Sequence, residues 1–550
     1  MQRTWLLVAL LGCLAACSAP PPAPTAVPTA VPTTVATVAP TAVPAVVPTA
    51  APTGVPTAAP TAAPTAAPTA APTAVPTAVS TAAAAPAALN VQDQAAALRP
   101  EFAADLARAG EWNRYTLDVA IDPAARTLTG QMRLEYTNRD SAALDRIYLH
   151  LYPNLPDFGG RLDVRALDVD GAPAEVLYEA RRYLLRVNLP RPLAPGASTT
   201  LALGWLVSAP ANASQRLYGA FNEEGGVLAL ASSFPIAAVV RGGAWDIGWP
   251  DGKGDFVNSE TALFDVTLRA PGGWRPITTG VVVEQRADGG AQTLRIVSGP
   301  QRDFMIALAQ FEVASADAAG TRVNSYYRAE DAAGGRAALD AAVKAVEAFG
   351  KRYGPYPLRE LDVLEIAAGT FLGVEYPGMV MIEQNLYSGD PGLELTVAHE
   401  VGHQWWYSQV GNDVQTAAWL DEALASYSQV VYQEELAGPA AAARELDGFR
   451  ERYGRALALG RDAPVQQPNS QFNNNYVLLV YGKAVVFFAA LRQRMGDAAF
   501  DRFLHDYYAA NRYGYVGGEQ LLAAAEGACG CDLHPLYADW ITRAVPLEMP

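Results

Sequence analysis

From Ser18 to about Pro86 a proline falls every three or four residues, in a run of Pro-Thr-Ala-Ala and Pro-Thr-Ala-Val units. Proline has no amide proton for a helix or sheet ladder, and its ring clashes with the preceding helical turn. No charged side chain occurs between Arg3 and Asp93. The stretch is predicted to sample polyproline II and to build no core, and its apolar count does not make it a membrane span. At about 3.1 Å per residue it reaches on the order of 200 Å when extended. The foldable part of the 550-residue chain therefore begins near 93, and all 56 acidic residues lie there. A formal charge of −16 argues against a nucleic-acid-binding surface.

Residues 1–17 carry a basic start at Arg3, an apolar run from Trp5 to Leu11 and small residues before Cys17. That pattern describes an export signal, and the run is short for a bilayer span. Leu14-Ala15-Ala16-Cys17 resembles the bacterial lipoprotein lipobox. The resemblance implies cleavage before Cys17, lipidation of its thiol and an extracytoplasmic protein anchored to a bacterial membrane. Residues 18–92 are then a disordered linker holding a domain away from that membrane.

Two patterns follow. Alternating segments begin at Tyr115 and Thr127 and recur at Ile147–Leu151, Tyr183–Val187, Thr199–Leu206, Phe264–Arg269 and Phe304–Phe311, punctuated by Gly and Pro. Residues 93–315 are read as an antiparallel β domain. The period then changes: Leu339, Val343, Val346 and Phe349 recur at helical spacing within 337–352. Strands are expected at Leu361–Ile366 and Met379–Ile382, and helices over 391–410, 418–436, 440–460, 481–496 and 517–526. The fold class is multidomain, β then α+β, with 316–550 mainly helical around a small sheet.

His399-Glu400-Val401-Gly402-His403 falls inside the helix expected at 391–410. Four residues advance a helix by about 400°, so both imidazoles leave one face a turn apart, the spacing two ligands of one zinc ion need. Glu400 is placed to reach a metal-bound water without ligating. A catalytic zinc needs a third ligand and an open position. Glu422, in Trp419-Leu420-Asp421-Glu422, supplies a carboxylate if the next helix returns antiparallel.

These motifs, with Gln404-Trp405-Trp406 after His403, resemble the membrane-alanyl-aminopeptidase (aminopeptidase N) family of zinc metallopeptidases, of the gluzincin type. Gly130 after Thr127-Leu128-Thr129, Tyr136-Thr137-Asn138 and Arg302-Asp303-Phe304 extend the likeness, from about 112 to the C-terminus. The resemblance implies a saddle-like β domain, a thermolysin-like catalytic domain and one zinc per chain. The chain is read as a short form, without the family's long C-terminal helical domain. Leu372-Gly373-Val374-Glu375-Tyr376 matches the family's glycine-rich strand, which implies that Gly373 and Glu375 bind substrate and that Glu375 takes the free α-ammonium; Leu372, Val374 and Tyr376 depart from the usual motif. Tyr481-Gly482-Lys483 implies an oxyanion donor at Tyr481, assisted by Tyr476. The family's amine-binding Gln or Glu from the β domain has no counterpart in Ala231–Val239, which leaves amine anchoring to Glu375 and Glu422.

The function expected is zinc-dependent removal of N-terminal residues from peptides outside the cell, with Glu400 as general base. The alternatives are a surface-anchored binding protein with a vestigial site and an endopeptidase or other zinc hydrolase on the same fold. Cys529-Gly530-Cys531 with His534 lacks the usual spacing of a second metal site and is read as a disulfide. His150 and His505 are read as ordinary strand and helix residues.

Overall fold

The computed structural model describes residues 85–211, 217–545, 547, 549 and 550. The signal segment, Cys17 and most of the Pro-rich linker lie outside the described residues. Two 3-10 segments come first, Val91–Ala97 and Pro100–Glu111, the former capped by Asn90, whose side chain accepts from Gln92 N. Leu98, Phe102, Leu106 and Trp112 do not join the β half in which the sequence reading placed them. They bury in the core of the helical half, and Leu98 bridges to Leu358.

The β half is organised by an eight-stranded sheet. Its spatial order is Val281–Asp288, Ala291–Gln301, Ala262–Pro271, Asn113–Asp122, Thr127–Thr137, Ser198–Ser208, Arg161–Val169 and Ala172–Pro173. Neighbours run antiparallel except Asn113–Asp122 beside Ala262–Pro271, where a parallel pair sets Tyr115 against Phe264 with the rings stacked at 4.9 Å. Alternation places Tyr115, Leu117, Val119 and Ile121 on the buried face. Gly130 has no room for a side chain: a Cβ there would stand 2.2 Å from the Trp205 ring.

A five-stranded sheet opens the helical half, in the order Glu312–Ala318, Thr321–Tyr327, Glu360–Ile366, Met379–Glu383 and Gly373–Tyr376. The hairpin over 312–327 spans the 315/316 division read from the sequence, so its first strand belongs with this sheet. Among the described residues Gly373–Tyr376 is an edge strand, paired to Met379–Glu383 alone. Helices α1 (Ala332–Tyr353), α2 (Leu393–Gly402), α3 (Trp419–Ala437), α4 (Pro439–Ala458), α5 (Ala484–Met495), α6 (Asp497–Asn511) and α7 (Gly518–Cys529) follow. Helix α6 contains His505, read from the sequence as a helix residue, but the sequence offers no bounds for it. Helix α5 begins three residues later than expected, after a π-type turn over Leu479–Lys483.

The helix expected over 391–410 ends at Gly402, with His403 as its cap. A continuing helix would fan Trp405 and Trp406 about 100° apart. Instead the chain turns, with Ser408 N donating to His403 O at 3.0 Å and Val410 N to Trp405 O at 3.0 Å. Both indoles are buried, and their N–H groups reach Gly354 O at 2.9 Å and Ser428 Oγ at 3.2 Å. His403 keeps a helical backbone (φ −63°, ψ −16°), so the i, i+4 relationship to His399 survives.

Arg302 joins the halves. It is 2 % exposed and donates to Tyr407 O at 2.8 Å, to Ser259 O at 3.0 Å and to Gly514 O. Gly411 lies flat against its guanidinium, where a Cβ would come 2.0 Å from Cζ.

Candidate metal centre and active-site cleft

Helix α2 lies against α3 where Gly402 meets Ser428 and Ala425, with a built Cβ 3.1 Å from Ser428 Cβ. This close crossing brings Glu422, in the first turn of α3, to the imidazoles. His399 Nε2 and His403 Nε2 are 3.2 Å apart, and each is 3.4 Å from Glu422 Oε2. Three tetrahedral ligands holding an ion at about 2.0–2.2 Å stand about 3.3–3.5 Å from one another. His403 Nδ1 faces Trp406 O at 3.1 Å, which holds a proton on Nδ1 and turns Nε2 to the site. Glu422 Oε2 is buried and accepts no hydrogen bond. Two imidazole nitrogens around an orphaned carboxylate oxygen make a cation site, and the donor set fits zinc.

The charge balance points the same way. Burial works against a protonated His403, yet Glu375, Glu422 and Glu400 hold it well above the ordinary histidine range. Burial pushes Glu400 up to about 8; His403 opposes the rise, and Glu422 and Asp255 add to it. A dication on the imidazoles would replace the proton on His403 and draw Glu400 down.

Glu400 projects towards the edge strand. A Cβ on Gly373 would stand 2.3 Å from Glu400 Oε1, so glycine alone lets the strand pass. Glu375, two residues on, is buried, with Oε1 unpartnered and 3.8 Å from His403 Nδ1. Tyr481 Oη donates to Glu422 Oε1, and burial, with the Glu422 charge behind it, raises the phenol well above its ordinary value. Tyr476, with its ring 6.0 Å from that of Tyr481, has a buried hydroxyl without a partner. A cleft of about 710 Å³ brings together His399, His403, Glu422, Glu400, Gly373, Glu375, Tyr476 and Tyr481.

Among the cleft residues that no sequence motif singled out, one stands next to the predicted amine site. Asp255, from the β half, lines the cleft beside Glu375. Its surroundings, Gly252-Lys253-Gly254-Asp255, read only as a turn, and no spacing rule ties that turn to a strand 120 residues on. Elsewhere, Cys529 and Cys531 are bonded to each other, and His534 Nδ1 pairs with Glu526 Oε1 at 2.8 Å. His150 is buried between Tyr152 Oη at 3.0 Å and Asp246 O at 2.9 Å, and exposed His505 pairs with Asp506.

Comparison with known proteins agrees with this geometry. The Peptidase family M1 domain matches residues 337–540. Aminopeptidase M1-B of Oryza sativa is 25% identical over 296 residues, covering 51% of this chain and 34% of the relative. Aminopeptidase N of Lactococcus lactis is 27% identical over 227 residues, covering 38% and 26%. The chain thus spans about a third or less of these relatives' own length. An M1 zinc metallopeptidase from Deinococcus radiodurans has the same fold, with a TM-score of 0.61 and 20% identity over 80% of this chain and 95% of that one. A mutant of that enzyme, bound to a Tyr-Ser-Ala substrate, aligns with a TM-score of 0.59 at 21% identity, covering 80% and 95%. The matching domain, the two-part architecture and a donor set suited to zinc make residues 337–540 a domain of the M1, aminopeptidase N-type family of zinc metallopeptidases.

Proposed function

We propose that the protein is a zinc-dependent aminopeptidase that removes N-terminal residues from peptides outside the cell. The observation that carries this reading is the bare, buried carboxylate of Glu375 next to the His399–His403–Glu422 set. A site built only to hydrolyse amides has no use for a buried carboxyl group without a donor at that position, whereas a free α-ammonium supplies both the donor and the charge that favours its ionised form. The curated relatives are aminopeptidases, and the Deinococcus structure holds a tripeptide, which supports the same reading.

His399, His403 and Glu422 would hold the ion. When bound, zinc supplies a Lewis acid for the scissile carbonyl and lowers the pKa of a water to near 7. Glu400 takes the proton of the attacking water and passes it to the leaving amine. Tyr481, kept protonated by burial, donates to the developing oxyanion. The free edge of Gly373–Tyr376 pairs with the extended substrate, and Glu375 holds its ammonium.

The extracytoplasmic, lipid-anchored location rests on residues 1–92 and is supported by the Cys529–Cys531 disulfide, a bond favoured outside the cytosol. The deciding experiment compares hydrolysis of free and N-acetylated aminoacyl amides with and without a chelator. Chelator-sensitive turnover confined to free amines is expected. Equal rates on both would indicate an endopeptidase or a broader hydrolase, and no turnover with zinc bound would indicate a binding protein.

A further inference from the structure

The β half enters the cleft through one loop, residues 251–256, and the helical half clamps that loop at several points. Gln415 Nε2 donates to Asp255 O at 2.6 Å, and its Oε1 accepts from Asp251 N at 2.8 Å. Asn469 Nδ2 donates to Lys253 O at 2.8 Å and to Val414 O at 2.9 Å. Gly254, at φ +69°, passes so close to Tyr476 that a Cβ would lie 2.2 Å from its hydroxyl oxygen. A backbone fixed this way aims the Asp255 side chain.

It aims at Glu375. One carboxylate oxygen from each of Asp255, Glu375 and Asp421 lies within 4.8 Å of the others. Asp255 and Glu375 face the cleft, and Asp421 stands behind them. Glu375 is 6 % exposed and its Oε1 has no donor. Lys253, the lysine of the cleft wall, is paired with Asp251 at 2.9 Å. The stretch from Ala231 to Val239 does not line the cleft: its apolar side chains are in the core, and Ser232 Oγ donates to Asp303 Oδ2 at 2.8 Å. His403 Nδ1, 3.8 Å from that oxygen, is turned to Trp406 O at 3.1 Å. Two carboxyl groups converging on a desolvated spot with a bare oxygen offer a site that a cation from outside the chain would satisfy.

We propose that Asp255 is a specificity residue: with Glu375 it binds the protonated α-amine of the peptide substrate, and Gln415 positions it by holding the loop. The β half thereby contributes an amine anchor from a segment where the sequence shows no motif. The inference rests on the aminopeptidase reading above, and its test separates the two.

The test uses the full zinc-loaded chain, with alanyl-aminomethylcoumarin and its N-acetyl form as substrates, and phenylalaninamide binding by calorimetry as a readout independent of turnover. Losing one charged hydrogen bond to the amine is expected to lower the free-to-acetylated ratio of kcat/KM in Asp255→Asn about tenfold or more, and to weaken phenylalaninamide by a similar factor. Asp255→Glu, which keeps the charge, is expected to recover part of the ratio. Gln415→Ala is expected to raise KM for the free amine more than it lowers kcat. A parent enzyme that favours free amines while Asp255→Asn keeps the full ratio would overturn the Asp255 assignment and leave the aminopeptidase reading standing. A parent that cleaves both substrates equally would overturn both. A second equivalent of metal in the parent, lost in Asp255→Asn, would make the cluster a cation site and also overturn the assignment.

Discussion

Tyr481 and Glu422 meet inside the cleft: the phenol donates to Glu422 Oε1, while Oε2 of the same carboxylate stands 3.4 Å from each imidazole. In the mechanism proposed above, the one carboxylate would serve as the third ligand and as the resting partner of the oxyanion donor, and substrate would need only to turn the phenol from Glu422 to the reacting carbonyl.

Tyr481→Phe keeps the ring and removes that donor. Turnover is expected to fall about 10²- to 10³-fold, with a smaller change in KM and zinc content retained. Steady-state kinetics with metal analysis check this, and an unaltered kcat would remove Tyr481 from the mechanism.

Glu400→Ala removes the proposed base, which lies outside the ligand set. The variant is expected to bind one zinc and to lose about 10²- to 10⁴-fold in kcat. Normal hydrolysis of aminoacyl amides by the metal-loaded variant would show that another group accepts the water proton.

How much of this was legible in the sequence follows from how local each feature is. His399 and His403 share one turn, and Glu422 follows on the next helix, so a short-range pattern was enough. Gly373, Glu375, Tyr476 and Tyr481 were picked out by family resemblance, and the structure brings them into the same cleft. The end of α2 at Gly402 was not legible, because burying both Trp405 and Trp406 is a tertiary demand that overrides helical periodicity. Asp255 was invisible because its meaning depends on Gln415 and Asn469, which approach only when the halves pack. Leu98, Phe102, Leu106 and Trp112 fell on the β side of the expected division for the same reason: partners such as Leu358 lie far along the chain.

Gly373→Ala tests how closely the edge strand passes the base. The new methyl would meet Glu400 Oε1 at 2.3 Å, so the carboxylate or the strand must move. A displacement of about 1 Å at the reacting centre costs on the order of 10² in rate. The expected result is a loss of that size in kcat/KM with little change in thermal stability. Full activity would show that Glu400 works from another position.

Arg302→Met would unlatch the two halves. The guanidinium serves carbonyls of Tyr407, Ser259 and Gly514, and its removal takes a donor from each, in buried surroundings at Tyr407 and Ser259. A loss of about 3–5 kcal/mol is expected. Urea unfolding measures it, and a change below about 1 kcal/mol would mean the interface does not depend on this residue.

Asp303, beside Arg302 in sequence, gives the fold a pH signature of its own. It is 1 % exposed, and burial pushes it from 3.8 up to about 6, although Ser232 Oγ and Phe304 N donate to it at 2.8 and 2.6 Å. A carboxyl raised in the native state contributes stability that is fully present below its unfolded pKa and is lost as pH rises through the native one. The window therefore runs from about pH 4 to pH 6, and a rise from 3.8 to about 6 corresponds to about 3 kcal/mol. Asp303→Asn has no such titration, so the stability of the parent relative to the variant is expected to fall by about 2 kcal/mol between pH 4.5 and 7.5, the remainder of the effect lying below pH 4.5. Taking the difference between the two proteins cancels the loss of metal from the histidines at low pH, which both share. Parallel stability curves across that window would mean that Asp303 is already ionised in the native fold at pH 4.5.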